Sequence, residues 1–144
     1  MTIVKLSRDE YFMHIAKVCA TKSIDPSSKF GCVAVSNDGS ILSTGYNGPP
    51  RNVDDDTIPL TRPEKYTFME HAERNCIYNA ARVGIPLKGC IFYVTGISCF
   101  DCMRGMYQSG ASAVVMLSKS PSSANDEWYK FIAFIENYIT IRYM

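Results

Sequence analysis

Residues 70–117 read EHAERNCIYNAARVGIPLKGCIFYVTGISCFDCMRGMYQSGASAVVML, and the order of patterns in this stretch decides the fold class. Glu70 to Val83 favours helix, with Ala72, Cys76, Ala80 and Val83 on one stripe. Gly84 ends that helix and Pro86 follows, the usual order at a helix C-terminus. Cys90 to Thr95 reads as a buried strand. Ser98 to Ser109 is expected to be helical, with Ser98 as N-cap, Asp101 at N3 and Gly110 beyond its end. Ala113 to Leu117 is again an apolar strand.

Upstream, Ser7 and Glu10 have capping-box spacing, and Tyr11, Ile15, Val18 and Cys19 recur at helical intervals. A first helix is expected from about Ser7 to Thr21, broken by Asp25-Pro26. Phe30 to Ser36 and Ser40 to Tyr46 are short β-rich runs around Asn37-Asp38-Gly39, a strong hairpin signal. Residues 47–69 hold four prolines, the run Asp54-Asp55-Asp56 and little periodicity, a loop long enough to be functional or disordered. Downstream, Asn125 to Glu136 is expected to be helical through Trp128, Phe131, Ile132 and Ile135. The tail from Ile139 to Tyr143 alternates as an edge strand does. A hairpin followed by helix–strand units implies an α/β fold, a mixed sheet with helices on both faces.

The chain has 144 residues, 47% hydrophobic and 20% charged, which suits one domain of residues 1–144 and excludes wholesale disorder. A formal charge of +1 removes any general case for binding nucleic acid or an anionic membrane. Lys5, Arg8, Asp9 and Glu10 interrupt any signal-peptide core, and no apolar run approaches the roughly 18 to 20 residues of a span. The expected setting is cytoplasmic, where six cysteines stay reduced. Cys99 and Cys102 are spaced as metal ligands; the other four are expected to be small buried hydrophobes.

Two motifs carry chemistry: His71-Ala72-Glu73 and Cys99-Phe100-Asp101-Cys102. Each is expected to open a helix, where the positive end of the dipole favours thiolates. One imidazole and two thiolates suit zinc and leave one tetrahedral position open, as a catalytic site does. Residues two apart do not share a face on a regular helix, but at a helix start both side chains can lean over the open end. Glu73 would then take a proton from water and deliver it to the substrate. The pattern matches the known zinc-deaminase signature, with the Glu as proton shuttle and not as a ligand. The competing reading is a zinc-stabilised binding module without catalysis, whose fourth ligand would come from Cys19, Cys76 or His14.

With these motifs, the chain resembles the deoxycytidylate (dCMP) deaminases of the cytidine deaminase superfamily, from about Ser7 to Tyr143. Further points of likeness are Asp25-Pro26 with Ser28 and Gly31, Thr44-Gly45-Tyr46-Asn47-Gly48 with Pro50, and the continuation Arg74-Asn75 to Ala80-Ala81-Arg82. The resemblance implies a three-layer α/β/α sandwich with a five-stranded sheet, and hydrolysis of dCMP to dUMP and ammonia for thymidylate synthesis. It implies a homohexamer, activation by dCTP and inhibition by dTTP with magnesium; some members carry a second, structural zinc on extra Cys and His, and since this chain lacks an obvious set, one zinc per subunit is expected. Other cytosine nucleotides such as dCTP, free cytidine or an RNA base are the alternative substrates. By position, Asn47 contacts the nucleoside, and Lys22 and Ser23 are candidates for the substrate phosphate. Gly45, Tyr46, Asn47, Gly48 and Arg82 are candidates for the effector site. The family's cysteine motif usually follows Pro, where this chain has Ser98, a residue that can cap by a hydrogen bond instead.

Overall fold

The computed structural model describes residues 4–117 and 125–144. Five strands form one sheet: β1 (Gly31–Val35), β2 (Ile41–Tyr46), β3 (Ile91–Val94), β4 (Ala113–Met116) and β5 (Thr140–Tyr143). Their spatial order is β2-β1-β3-β4-β5. β1 runs antiparallel to both β2 and β3, while β3–β4 and β4–β5 are parallel. Parallel neighbours need crossovers, and α3 (Phe100–Gln108) and α4 (Asp126–Ile135) supply them. α1 (Arg8–Ala20) precedes the hairpin and α2 (Ala72–Val83) precedes β3.

Strand alternation divides the core. Cys32, Phe92 and Val114 face one way and meet α2, α3 and α4; Val33, Tyr93 and Val115 face the other way and meet α1. The result is the expected α/β/α sandwich, with one helix on one face and three on the other among the described residues. The hairpin forms where Asn37-Asp38-Gly39 places it, Gly39 taking φ +93° and the Ser36 N–H bonding Ser40 O at 2.8 Å. α1 begins with the expected capping box from Ser7 to Glu10.

Three local expectations are corrected. α1 buries Phe12, Met13, Ala16 and Ala20, and leaves Tyr11 and Val18 exposed. The cause is a close approach: a Cβ on Gly31 would lie 1.8 Å from Ala16 O, so the alanine face of the helix turns to the sheet. On α2, Ala72, Cys76 and Ala80 are buried as expected, but Val83 in the last turn is exposed. α3 starts one residue later than expected: its N-cap is Cys99, which puts Asp101 at N2 and leaves Ser98 outside the helix.

Residues 47–69 are ordered. Gly48 and Glu70 exchange backbone hydrogen bonds of 3.1 and 2.7 Å, which closes the loop at its base. Two short 3-10 turns, Asp55–Thr57 and Glu64–Thr67, lie within it. The Asp54 carboxylate caps the first by accepting the Asp56 N–H at 3.0 Å.

Candidate active site

α2 opens on His71, whose φ of −76° and ψ of 153° are extended, so it lies just outside the helix as N-cap. Glu73 is the second residue inside it. The change of backbone conformation between the two removes the objection that positions i and i+2 diverge on a helix. His71 is exposed and Glu73 buried. Burial lifts the Glu73 carboxyl above the usual range.

α3 brings the sulfurs. Cys99 at N-cap and Cys102 at N3 are the two positions whose side chains meet across a first turn. Ser98, expected as the cap, is instead fully buried behind them. Its carbonyl accepts the Trp128 indole N–H at 3.0 Å, which ties the α3 start to α4. Its hydroxyl is near enough to Glu73 to favour the carboxylate, yet meets no partner at hydrogen-bond geometry.

His71 Nδ1 lies 3.3 Å from Cys102 Sγ and 3.5 Å from Cys99 Sγ, with all three atoms within 4.8 Å of one another. A tetrahedral zinc with bonds of about 2.3 Å to sulfur and 2.0 Å to nitrogen sets N···S edges of about 3.5 Å, so the donor set fits that ion. Among the described residues the group holds no fourth protein ligand. Cys76 is buried in the core, and His14 is exposed on α1. The Cys102 thiol and the His71 imidazole pull Cys99 down to about 4 against the effect of burial. The Cys99 thiolate and burial push Cys102 far up, and contact with Cys99 raises His71.

Residues 6–118 match the profile of the cytidine and deoxycytidylate deaminase zinc-binding region. The chain belongs to this family. The deoxycytidylate deaminase of Mus musculus is 36% identical over 115 residues, 76% of this chain and 64% of the relative. The match thus spans less than two thirds of that relative's length. The dCMP deaminase from the cyanophage S-TIM5, solved in apo form, superposes with a TM-score of 0.75 at 26% identity, covering 98% of this chain and 100% of that one. The same cyanophage enzyme solved with dCMP and dUMP has a TM-score of 0.75 at 24% identity, covering 99% and 100% of the two chains.

In this deaminase-family chain the remaining expected residues separate into two places. Asn47 is buried beside the 25–30 turn: its Nδ2 donates to Ser28 O and its Oδ1 accepts the Phe30 N–H, both at 2.8 Å. Ser23 is buried too, its hydroxyl accepting the Asp25 N–H at 3.2 Å. Lys22 instead lines a cleft of about 980 Å³ with Tyr46, Gly48, Arg51, Asn79 and Arg82. Gly45 is not on the cleft wall; it lies under α2, where a Cβ would be 2.4 Å from Ala72 O and Cys76 N.

Sequence reasoning missed two features. Glu70 Oε1 accepts both the His71 N–H at 3.0 Å and Arg74 Nε at 2.6 Å, so an ion pair braces the His71 backbone. Lys65, from the aperiodic loop, is buried against Asp25. The first pair has a helical i, i+4 signal; the second has none.

Proposed function

We propose that this chain, acting as one deaminase domain, hydrolyses dCMP to dUMP and ammonia. The observation that carries the reading is the convergence of His71, Cys99 and Cys102 with the buried Glu73 at two helix starts. Three ligands rather than four favour catalysis over a structural zinc module. Zinc bound there supplies a Lewis acid that turns water into a nucleophile near neutral pH. Glu73, buried beside the ligand set, would take each proton from the water that adds and hand one to pyrimidine N3 and the other to the amine leaving C4. The dCMP and dUMP bound by the cyanophage relative support the choice of nucleotide.

Asn47 is the nucleoside contact in this reading, with one Nδ2 proton left after its bond to Ser28. The cleft is the effector site: Lys22, Arg51 and Arg82 bring three cations to one cavity large enough for a deoxynucleoside triphosphate, dCTP or dTTP, which would carry its own magnesium. Lys22 therefore fits the effector phosphates better than the substrate phosphate, and Ser23 is spent on its own turn. The oligomer is the hexamer, and the setting the cytoplasm, which suits six cysteines that are all free. No helix among the described residues is long and apolar enough to cross a membrane.

A nucleotide panel tests the reading. Zinc-loaded protein is expected to release ammonia and dUMP from dCMP, faster with dCTP and slower with dTTP. A zinc-loaded chain inert to dCMP under all three conditions, or preferring dCTP, cytidine or an RNA base, refutes it.

A further inference from the structure

Outside the metal group, the most deeply buried charges are Lys65 and Asp25, 1% and 5% exposed. Lys65 Nζ lies 2.8 Å from both Asp25 carboxylate oxygens. Asp25 Oδ1 also accepts the Ser27 and Ser28 N–H groups, at 2.8 and 3.1 Å, and so shapes the turn that follows α1. Burial opposes the Asp25 charge, but Lys65 and these two amides outweigh it and hold the carboxyl below its usual range. The same turn receives Asn47 at Ser28 and Phe30, and Arg62 Nη2 at Ser28 Oγ, 3.5 Å away. The 47–69 loop thus grips one turn through three side chains, of which Lys65 alone is a buried charge.

Desolvating two charges is costly, and replacing buried ion pairs by apolar residues is often neutral in other proteins, so stability alone is a weak reason for this pair. What the ion pair adds is a single geometry, since an ammonium shared by two oxygens cannot slide as packed alkyl groups do. We propose that Lys65 is a positioning residue for nucleotide binding: its pair with Asp25 locks the 47–69 loop to the 25–30 turn and so sets Asn47 in place. The inference rests on the reading of Asn47 as a nucleoside contact. The lock acts on binding and not on the chemical step, because the bonds of Lys65 Nζ go to Asp25 and not to the zinc ligands or Glu73.

The test uses Lys65→Met with Asp25→Asn, which removes both charges while Asn can still accept the turn amides, and Asp25→Glu, which keeps both charges but displaces the contact. Zinc content, kcat and KM for dCMP, and native-state chymotrypsin cleavage after Tyr66 and Phe68 are measured. The double variant is expected to hold zinc at the wild-type ratio and keep kcat within about twofold. Its KM rises about tenfold or more and loop cleavage accelerates by a similar factor, with Asp25→Glu between it and wild type. Unchanged KM with an equally protected loop overturns the proposal. So does a double variant that fails to fold, or that loses zinc and kcat together, since the pair then serves stability alone. A wild-type chain inactive on dCMP sinks the substrate reading instead; the cleavage rates still judge the lock, and equal rates refute it.

Discussion

At the scale of single residues, Glu73 has a demanding position in the proposed mechanism: it would act beside the metal without binding it. The extended N-cap conformation of His71 makes this possible, since the ligand leaves the chain before the helix begins and the carboxylate leaves after it. Glu73→Gln is therefore expected to retain zinc at the wild-type ratio and lower kcat by roughly 10²- to 10⁴-fold, the usual range for a lost general acid–base group. Metal analysis beside a dCMP assay checks this, and loss of zinc would make Glu73 a ligand. The four residues His71, Glu73, Cys99 and Cys102 were legible because their relations are local: two and three residues apart, each pair at a helix start. Ser98 shows the limit of such reading. Its capping propensity is real, but Cys99 takes the cap; Ser98 is buried, and its backbone carbonyl accepts the Trp128 indole N–H from 30 residues away.

At the scale of elements, α2 is the part that holds the site to the sheet. Gly45 lets the helix backbone approach β2, and the Asn75 and Asn79 side chains donate to Tyr46 O and Thr44 O at 2.8 Å, along the edge strand. Gly45→Ala would push a methyl to within 2.4 Å of the α2 backbone, where nothing flexible can yield. The expected cost is about 1–3 kcal/mol of stability, as for other overpacked cores, measured by urea unfolding. Because α2 also carries His71 and Glu73, a chelator competition should show weaker zinc retention in the same variant. The sequence pattern placed this helix and its buried stripe well. It misjudged half of the α1 stripe: Ile15 and Cys19 pack against the core as expected, but Tyr11 and Val18 are exposed, because Ala16 must lie over Gly31.

At the scale of the whole molecule, Asp9 near the start joins Arg142 near the end, and the same carboxylate accepts the Tyr93 hydroxyl at 2.7 Å. α1, β3 and β5 are thereby tied at one point. The Arg142 hydrogen bond, against partial burial, holds the Asp9 carboxyl below its ordinary value near 3.8. A carboxylate held lower in the folded state stabilises the fold above that ordinary value, and its contribution is lost as pH falls through the lowered one. Asp9→Asn should therefore melt a few degrees below wild type at neutral pH, a cost of up to about 1 kcal/mol for so exposed a pair. The two curves should converge in acid, and thermal melts across pH 2 to 7 read the difference. A constant gap at every pH would show that the charge of Asp9 contributes nothing.

By itself, the sequence determined the order of helices and strands, the mixed sheet, the hairpin turn and the two motifs that form the zinc group. These depend on periodicity, capping and turn chemistry, interactions between residues a few positions apart. Only the tertiary structure decided that His71 meets the two sulfurs at 3.3 and 3.5 Å, that Lys22 faces the cleft with Arg82, and that Lys65 reaches Asp25. Those pairings join segments distant in the chain, and no local rule encodes which buried charge finds which partner. The 47–69 loop makes the difference plain: it has no period to read, and its anchors are Asn47 and Lys65 on the 25–30 turn, Gly48 on Glu70 and Arg51 on Asn79.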